Sequence, residues 1–182
     1  MHGIAVKYFL LVISLILGLA FSSVGQTSMN TMNTRAKFKA TYIVNFAKYT
    51  EWPAAYKQGD FIIGVVGDND LALNLETAAK TKKINSQAMI VKRFKSPDEV
   101  TKCHLIYVSG KSVSEVDPYI KKAKEYNCLT VTEGRGLIDR TSAINFIVVG
   151  AAMKYEMNKS LFKQQDLIVS STLENLATKV IN

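Results

Sequence analysis

The chain has 182 residues, of which 48% are hydrophobic and 21% are charged, and these proportions exclude a disordered protein. Its formal net charge is +8, from 23 basic and 15 acidic residues. Basic residues alternate with acidic ones, as in Lys121–Glu125, which indicates a solvated helix face rather than a patch that binds nucleic acid. We therefore expect one globular domain with no nucleic-acid partner.

The N-terminus has the features of a secretory signal peptide. Lys7 precedes an uncharged apolar run over residues 8–21, which is shorter than the roughly 20 residues of a membrane-spanning helix. Ser23-Val24-Gly25 then supplies a small-x-small cleavage pattern, and no cysteine follows it for lipid attachment. We expect residues 1–25 to be removed, leaving an exported chain without stable membrane insertion. An uncleaved anchor is the alternative.

Residues 26–33 are polar and lack periodicity, so they are predicted to form a flexible leader before a domain over residues 34–182. A helix is predicted from Arg35 to Thr50, because apolar residues recur there every three or four positions. Proline disfavours helical geometry in the residue before it, so Trp52 should leave the helix and pack at the edge of the core.

Strand-like and helical segments alternate through the middle of the chain. The predicted strands are residues 61–66, 88–94, 103–108 and 128–132. Helices are predicted after Gly67–Asp70, at Ser96–Glu99, and from Ser112 or Ser114 to about Tyr126. This alternation is typical of βαβ units and a parallel sheet.

The pattern changes after residue 140. The runs Ala143–Val149 and Lys154–Met157 are predicted to pair as a hairpin, followed by a helix over residues 158–164 and another from Ser170 to about Lys179. The predicted fold is a single α/β domain with a mostly parallel sheet flanked by helices and an antiparallel hairpin near the C-terminal part.

The residues that could carry chemistry favour a protein that is not an enzyme. His104 is the single histidine after the signal, and it adjoins Cys103 on a predicted strand, where neighbouring side chains point to opposite faces. The Gly64–Gly67 turn lacks the third glycine of a dinucleotide site and the lysine of a P-loop, while Asp68 and Asp70 would repel phosphate. We expect no catalytic residue, metal or cofactor.

Two cysteines remain in a compartment that we expect to be oxidising. Cys103 and Cys128 each stand at the start of a predicted strand. A disulfide would need their Cα atoms within about 7 Å and converging Cβ atoms. Free cysteine is among the most buried residue types, which favours two buried thiols; a redox-active pair is the alternative.

Two regions combine recognition chemistry with a rigid base: the end of the first helix and the loop after the fourth strand. Aromatic and arginine side chains often carry interface energy, and ligands of parallel sheets bind beyond the carboxyl ends of the strands. The predicted partner-binding residues are Tyr49, Trp52, Glu133, Arg135, Gly136 and Arg140. The alternatives are a core tryptophan and an exposed turn with self-paired charges.

Several segments, taken in order, resemble one known family. They are Lys39–Pro53, Ile62–Asp68, Cys103–Val108, Leu129–Glu133, Ile144–Phe146, Tyr155–Asn158 and Ser170–Ala177. In order and spacing they resemble the YfiR-like periplasmic proteins over nearly all of residues 34–180. No single segment is specific to the family, but the occurrence of all of them in the same order and spacing is.

The resemblance implies a periplasmic regulator in cyclic di-GMP signalling. Such a protein binds the periplasmic part of an inner-membrane signalling protein, typically a GGDEF diguanylate cyclase, and holds it inactive; a sensor kinase would fit equally, and a homodimer is left open. Family members with regulatory disulfides have a cysteine near the position of Gly64 to pair with the one at Cys103, and this chain departs from that pattern. The alternative function is a periplasmic solute-binding protein with a small ligand at the carboxyl ends of the strands.

Overall fold

The computed structural model describes residues 23–139 and 141–182, with side chains from residue 33 onward. Residues Lys37–Asn182 form one compact unit, and the fold is that of this unit. Most of the expected signal peptide lies outside the described residues, so export and cleavage remain predictions.

The first helix, α1, spans Ser23–Lys48 and begins earlier than the sequence predicts. The helix includes residues 26–33, the segment predicted to be a flexible leader; no proline or glycine occurs between Gln26 and Lys48, so nothing in the sequence interrupts the helix there. The predicted end near Thr50 agrees with the structure to within two residues.

Ten strands and four further helices follow α1 within the described residues. The strands are β1 Thr50–Glu51, β2 Phe61–Val66, β3 Lys83–Ile84, β4 Gln87–Arg93, β5 Leu105–Ser109, β6 Leu129–Glu133, β7 Ile144–Val149, β8 Ala152–Asn158, β9 Ile168–Val169 and β10 Lys179–Ile181. The helices are α2 Asn69–Ala79, α3 Val113–Lys124, α4 Lys159–Gln164 and α5 Ser171–Leu176, with 3-10 turns at Ala54–Tyr56 and Pro97–Glu99.

Eight of the strands form one sheet in the order β10-β8-β7-β6-β5-β2-β4-β3. The five strands from β7 to β4 are parallel, β8 is antiparallel to β7, and β10 runs parallel to β8. The predicted α/β fold, with its mostly parallel sheet and its C-terminal hairpin, is confirmed. Strands β1 and β9 form a separate antiparallel pair that the sequence analysis missed.

The central strands are buried on both faces, as their unbroken apolar runs predict. Along β5, Leu105 and Tyr107 enter the larger core, and Ile106 and Val108 enter the smaller one. The larger core also contains residues of α1 and α2, and the smaller core contains residues of α3. The twofold side-chain period of a strand therefore assigns helices to both faces of the sheet.

The last predicted helix is shorter than expected. It ends at Leu176 rather than near Lys179, and Lys179–Ile181 forms strand β10. The Thr178 N–H donates to the Tyr155 carbonyl at 2.9 Å, which starts the parallel pairing with β8. The prediction of helix to Lys179 was wrong because strand pairing with β8 overrides a weak helical pattern.

Candidate functional site

The order of the parallel strands defines the place where this fold can form a crevice. The chain passes from β2 to β4 on one side, and then returns to β5 on the other side of β2. The carboxyl ends of β2 and β5 are therefore neighbours from which the connections leave in opposite directions. Ligands of open α/β sheets bind at such a switch point.

A buried lysine from α1 occupies this place. Lys39 has 7% of its surface exposed, and its Nζ forms ion pairs with Asp68 and, at 2.7 Å, with Glu133. Nζ also donates to the Tyr107 hydroxyl at 3.1 Å, and that hydroxyl donates to Glu133 Oε2 at 2.6 Å. We call Lys39, Asp68, Tyr107 and Glu133 the lysine cluster.

Three parts of the chain position these side chains. Asp68 follows β2 as the N-cap of α2, where its Oδ1 accepts the Leu71 N–H at 2.9 Å and its Oδ2 faces Lys39. Tyr107 lies in β5, and Glu133 is the last residue of the neighbouring β6. The cluster thus connects α1 to the carboxyl edge of the sheet.

The electrostatics of the cluster keep Tyr107 protonated. Burial raises the pKa of Tyr107 well above its usual range, and the Glu133 carboxylate raises it further. The tyrosine therefore serves as a hydrogen-bond donor, and Lys39 supplies the positive charge between two carboxylates. Removing any one member of such a buried, hydrogen-bonded set destabilises the fold, because the remaining groups lose their partners.

Glu133 was predicted as a site residue from the sequence, whereas Lys39 and Tyr107 were not. A signal was present, since Lys39 precedes Ile43 by four residues and Phe46 by seven, which places a charge on the apolar stripe of the helix. A lysine in such a position needs an acidic partner. Tyr107 gave no signal, since it lies within an apolar strand.

The loop after β6 begins at the lysine cluster. The Gly134 N–H donates to the Phe146 carbonyl at 3.3 Å, and Asn145 Nδ2 donates to the Gly134 carbonyl at 2.7 Å. A Cβ on Gly134 would lie 2.9 Å from Leu137 Cδ1, so glycine permits this close approach. Leu137 is itself buried, which anchors the far side of the loop.

The predicted recognition residues of this loop are exposed. Arg135 and Gly136 face solvent, and Gly136 has a φ of +72°, which favours glycine. The acidic residues of the loop pair outside it, Glu133 with Lys39 and Asp139 with Lys179 at 2.8 Å. Arg135 has no ion-pair partner among the described residues. Arg140 lies outside the described residues.

The other predicted region divides into one surface residue and one core residue. Tyr49 has 48% of its surface exposed and lines a groove of about 340 Å³ beside β1 and β9. Trp52 is buried, packs edge-on against Phe61, and donates its Nε1–H to the Ala47 carbonyl at 2.9 Å. Trp52 is therefore the core tryptophan that was the alternative to a partner-binding residue, and it presents no contact surface.

His104 holds a structural position. Its Nδ1 accepts the Ile62 N–H at 3.0 Å, and its Nε2 lies 2.9 Å from the Tyr56 carbonyl, which matches a neutral ring that donates from Nε2. Burial lowers the pKa of His104. The ring stacks on Phe61, whereas Cys103 packs in the core on the other face of the sheet.

The two cysteines meet in that smaller core. Their Sγ atoms are 3.0 Å apart, both residues are free and buried, and the Cys128 thiol donates to the Cys103 carbonyl at 2.7 Å. The hydrogen bond with Cys128, together with burial, raises the pKa of the Cys103 thiol. A Cβ on Gly64 would lie 2.7 Å from Phe94 Cε2, so a cysteine there would require Phe94 to move.

Neither a metal-binding group nor a membrane span is found in the described part of the chain. Residues 23–139 and 141–182 contain no group of three or more His, Cys, Asp and Glu side chains that could hold a metal ion. None of their helices has the length and hydropathy of a transmembrane segment.

Comparisons with known proteins identify the family. No curated protein matches the chain. One similar solved structure is the ABC domain in complex with L-Trp from Streptococcus pneumonia, with 9% identity and a TM-score of 0.48 over 66% of this chain and 56% of that one. The YfiR/HmsC-like family matches residues 36–178. Since that match spans nearly the whole domain, the chain belongs to the YfiR/HmsC-like family.

Proposed function

We propose that this protein is a periplasmic regulator that binds the periplasmic part of an inner-membrane signalling protein and holds that protein inactive. YfiR-like proteins are periplasmic and act on inner-membrane signalling partners in general, which supports the proposal. The proposed partner is a GGDEF diguanylate cyclase or a sensor kinase. The protein acts by binding and has no catalytic activity of its own.

The observation that carries the proposal is the lysine cluster. The Lys39 side chain lies at the switch point, where a small-molecule ligand of this fold would bind, and is bonded there to Asp68 at the start of α2 and to groups from β5 and β6. This arrangement disfavours a solute-binding protein with its ligand in that crevice. The same contacts fix Glu133, from which the exposed loop starts.

Arg135 is the residue on which we place partner recognition. It is exposed, it lies between Gly134 and Gly136, and no carboxylate of the described chain pairs with it. A guanidinium binds a carboxylate through two parallel hydrogen bonds, which gives direction as well as energy. An acidic group of the partner is therefore its expected contact.

The test is site-specific photo-crosslinking in living cells. A photoreactive amino acid replaces Lys111, which is exposed on the loop beside Gly134, in one strain and Leu73, which has 54% of its surface exposed on α2, in a control strain, so that Arg135 stays intact in both. We expect position 111 to give an adduct with an inner-membrane protein that carries a cytoplasmic cyclase or kinase domain, and position 73 to give none. The absence of an adduct at 111, or the same adduct at both positions, would contradict the proposal.

A genetic readout accompanies the crosslink. Deletion of the protein should raise the output of the captured partner, cyclic di-GMP for a cyclase or phosphotransfer for a kinase. Wild-type protein should restore the low level, and Arg135→Glu should fail to do so at equal abundance. An unchanged output after deletion would show that the partner is not held inactive.

A further inference from the structure

The hairpin of β7 and β8 extends beyond both of its neighbours in the sheet. The two strands pair as far as Val149 and Ala152, whereas β6 ends opposite Phe146 and β10 pairs with β8 only from Glu156 onward. A two-stranded segment over residues 147–155 therefore projects past the carboxyl edge of the parallel sheet. We call residues 147–153 the ribbon tip.

The ribbon tip is apolar on both faces. Its sequence, Ile-Val-Val-Gly-Ala-Ala-Met, has no charged or hydrogen-bonding side chain. Val148 and Val149, which point to opposite faces, have 46% and 53% of their surface exposed. A strand whose outer face meets only water normally alternates apolar with polar residues, so this pattern is typical of a contact surface.

The outer backbone edge of β7 is open at the tip. The Phe146 carbonyl accepts the Gly134 N–H, so Phe146 directs its main chain away from β8. Antiparallel pairing alternates along a strand, and Val148 therefore directs its N–H and C=O the same way, beyond the end of β6. No strand among the described residues pairs there. Exposed edges are usually protected by lysine or proline, and the tip contains neither.

Positive charges without ion-pair partners occur in the two loops beside the base of the ribbon and on β8 next to the tip. Lys111, Arg135 and Lys154 are exposed, and none of them forms an ion pair within the described part of the chain. Arg135 follows Gly134, which bonds to Phe146 at the base of the ribbon, and the Gly110 carbonyl lies 3.2 Å from where a Cβ on Gly134 would be. The two loops and the ribbon thus converge.

The nearby carboxylates are already engaged. Glu133 binds Lys39, Glu156 accepts from Asn145 at 3.0 Å, and Glu115 accepts the Lys111 N–H at 3.0 Å. An apolar tip with unpaired cations in the neighbouring loops and on β8 is complementary to an apolar segment with acidic flanks.

We propose that the ribbon tip is the apolar centre of the partner interface, and that it binds an extended apolar segment of the partner, flanked by carboxylates, along the open edge of β7 at Val148. The inference rests on the proposed function and specifies the chemistry of the partner. Main-chain hydrogen bonds supply affinity in this mode of binding, and side chains on alternate positions supply specificity.

The test uses the purified periplasmic domain of the membrane protein captured at position 111. Val149→Asp places a negative charge in the apolar centre, and Leu73→Asp is the matched control with nearly equal exposure. We expect the dissociation constant to rise at least about tenfold for Val149→Asp and less than about twofold for Leu73→Asp. Val149→Ser provides a neutral variant if Val149→Asp lowers the melting temperature, and it should also weaken binding. Wild-type affinity should fall as salt is added.

Three outcomes would overturn the inference. The first is wild-type affinity for Val149→Asp at an unchanged melting temperature. The second is binding of the wild-type protein to phosphatidylglycerol vesicles that Val149→Asp abolishes while affinity for the partner domain stays unchanged, which would assign the ribbon to lipid. The third is a loss of affinity with Arg135→Glu but not with Val149→Asp, in which case the proposed function stands and the ribbon has no part in it.

Discussion

Replacing Lys39 with methionine should destabilise the domain more than any surface lysine substitution. Methionine occupies a similar volume but brings no charge, so Asp68 and Glu133 would face each other without a cation. The Tyr107 hydroxyl would still donate to Glu133. The variant therefore separates the charge of Lys39 from its packing.

The size of the effect follows from the burial of the three charged side chains. Removing one partner of a fully buried ion pair costs about 3–5 kcal/mol. The Lys39 side chain is 9% exposed, whereas Asp68 and Glu133 retain 16% and 29% exposure and hence some contact with water. We therefore expect the lower end, about 3 kcal/mol, which for a domain of this size lowers the melting temperature by about 6–12 °C.

The assay is urea and thermal unfolding followed by circular dichroism at pH 7, with Lys163→Met as the control because Lys163 is exposed and unpaired within the described residues. The control should change the free energy of unfolding by less than about 0.5 kcal/mol. Adding Glu133→Gln to Lys39→Met should recover about 1 kcal/mol relative to the sum of the single effects. A loss below about 1 kcal/mol for Lys39→Met would refute the electrostatic role of the cluster.

Three further predictions concern buried titratable groups. Burial lowers the folded-state pKa of His104. The stability that the neutral ring contributes to the fold is therefore complete above about pH 6.5 and is lost as the pH falls through the folded-state pKa. We expect His104→Gln to reduce the acid-induced drop in melting temperature. Burial raises the pKa of Tyr107 and raises that of Tyr155 to about 12, so stability should fall as pH rises above about 10. Cys103 and Cys128 should resist alkylation in the native protein and both react in denaturant without reductant, whereas no reaction in denaturant would indicate a disulfide.

The periodicity of the sequence predicted most of the fold. Unbroken apolar runs such as Phe61–Val66 identified the central strands, since burial on both faces favours apolar residues along the whole strand. Short pairings escaped prediction, because Thr50–Glu51 and Ile168–Val169 are two-residue strands with no period to detect. Strand β10 was missed for a related reason, since its pairing depends on a contact with Tyr155 that is distant in sequence.

The candidate site was only partly predictable. Proximity to the carboxyl ends of the strands identified the Glu133–Arg140 loop from topology alone. The partners of Glu133 come from residues 94 and 26 positions away along the chain, so the pairing with Lys39 and Tyr107 required the folded structure. The hairpin itself was predicted, but its projection beyond the neighbouring strands was not, because a sequence does not show where those strands end.

The measurement that tests the central claim most directly is the affinity of the Arg135→Glu variant for the captured periplasmic domain. Lys163→Glu serves as the matched charge-reversal control, and melting curves establish equal stability. We predict that the dissociation constant rises at least about tenfold for Arg135→Glu, through repulsion and lost hydrogen bonds, and stays within about twofold for the control. Equal affinity of Arg135→Glu and wild type at equal stability would contradict the assignment of the partner-binding site to the carboxyl edge of the sheet.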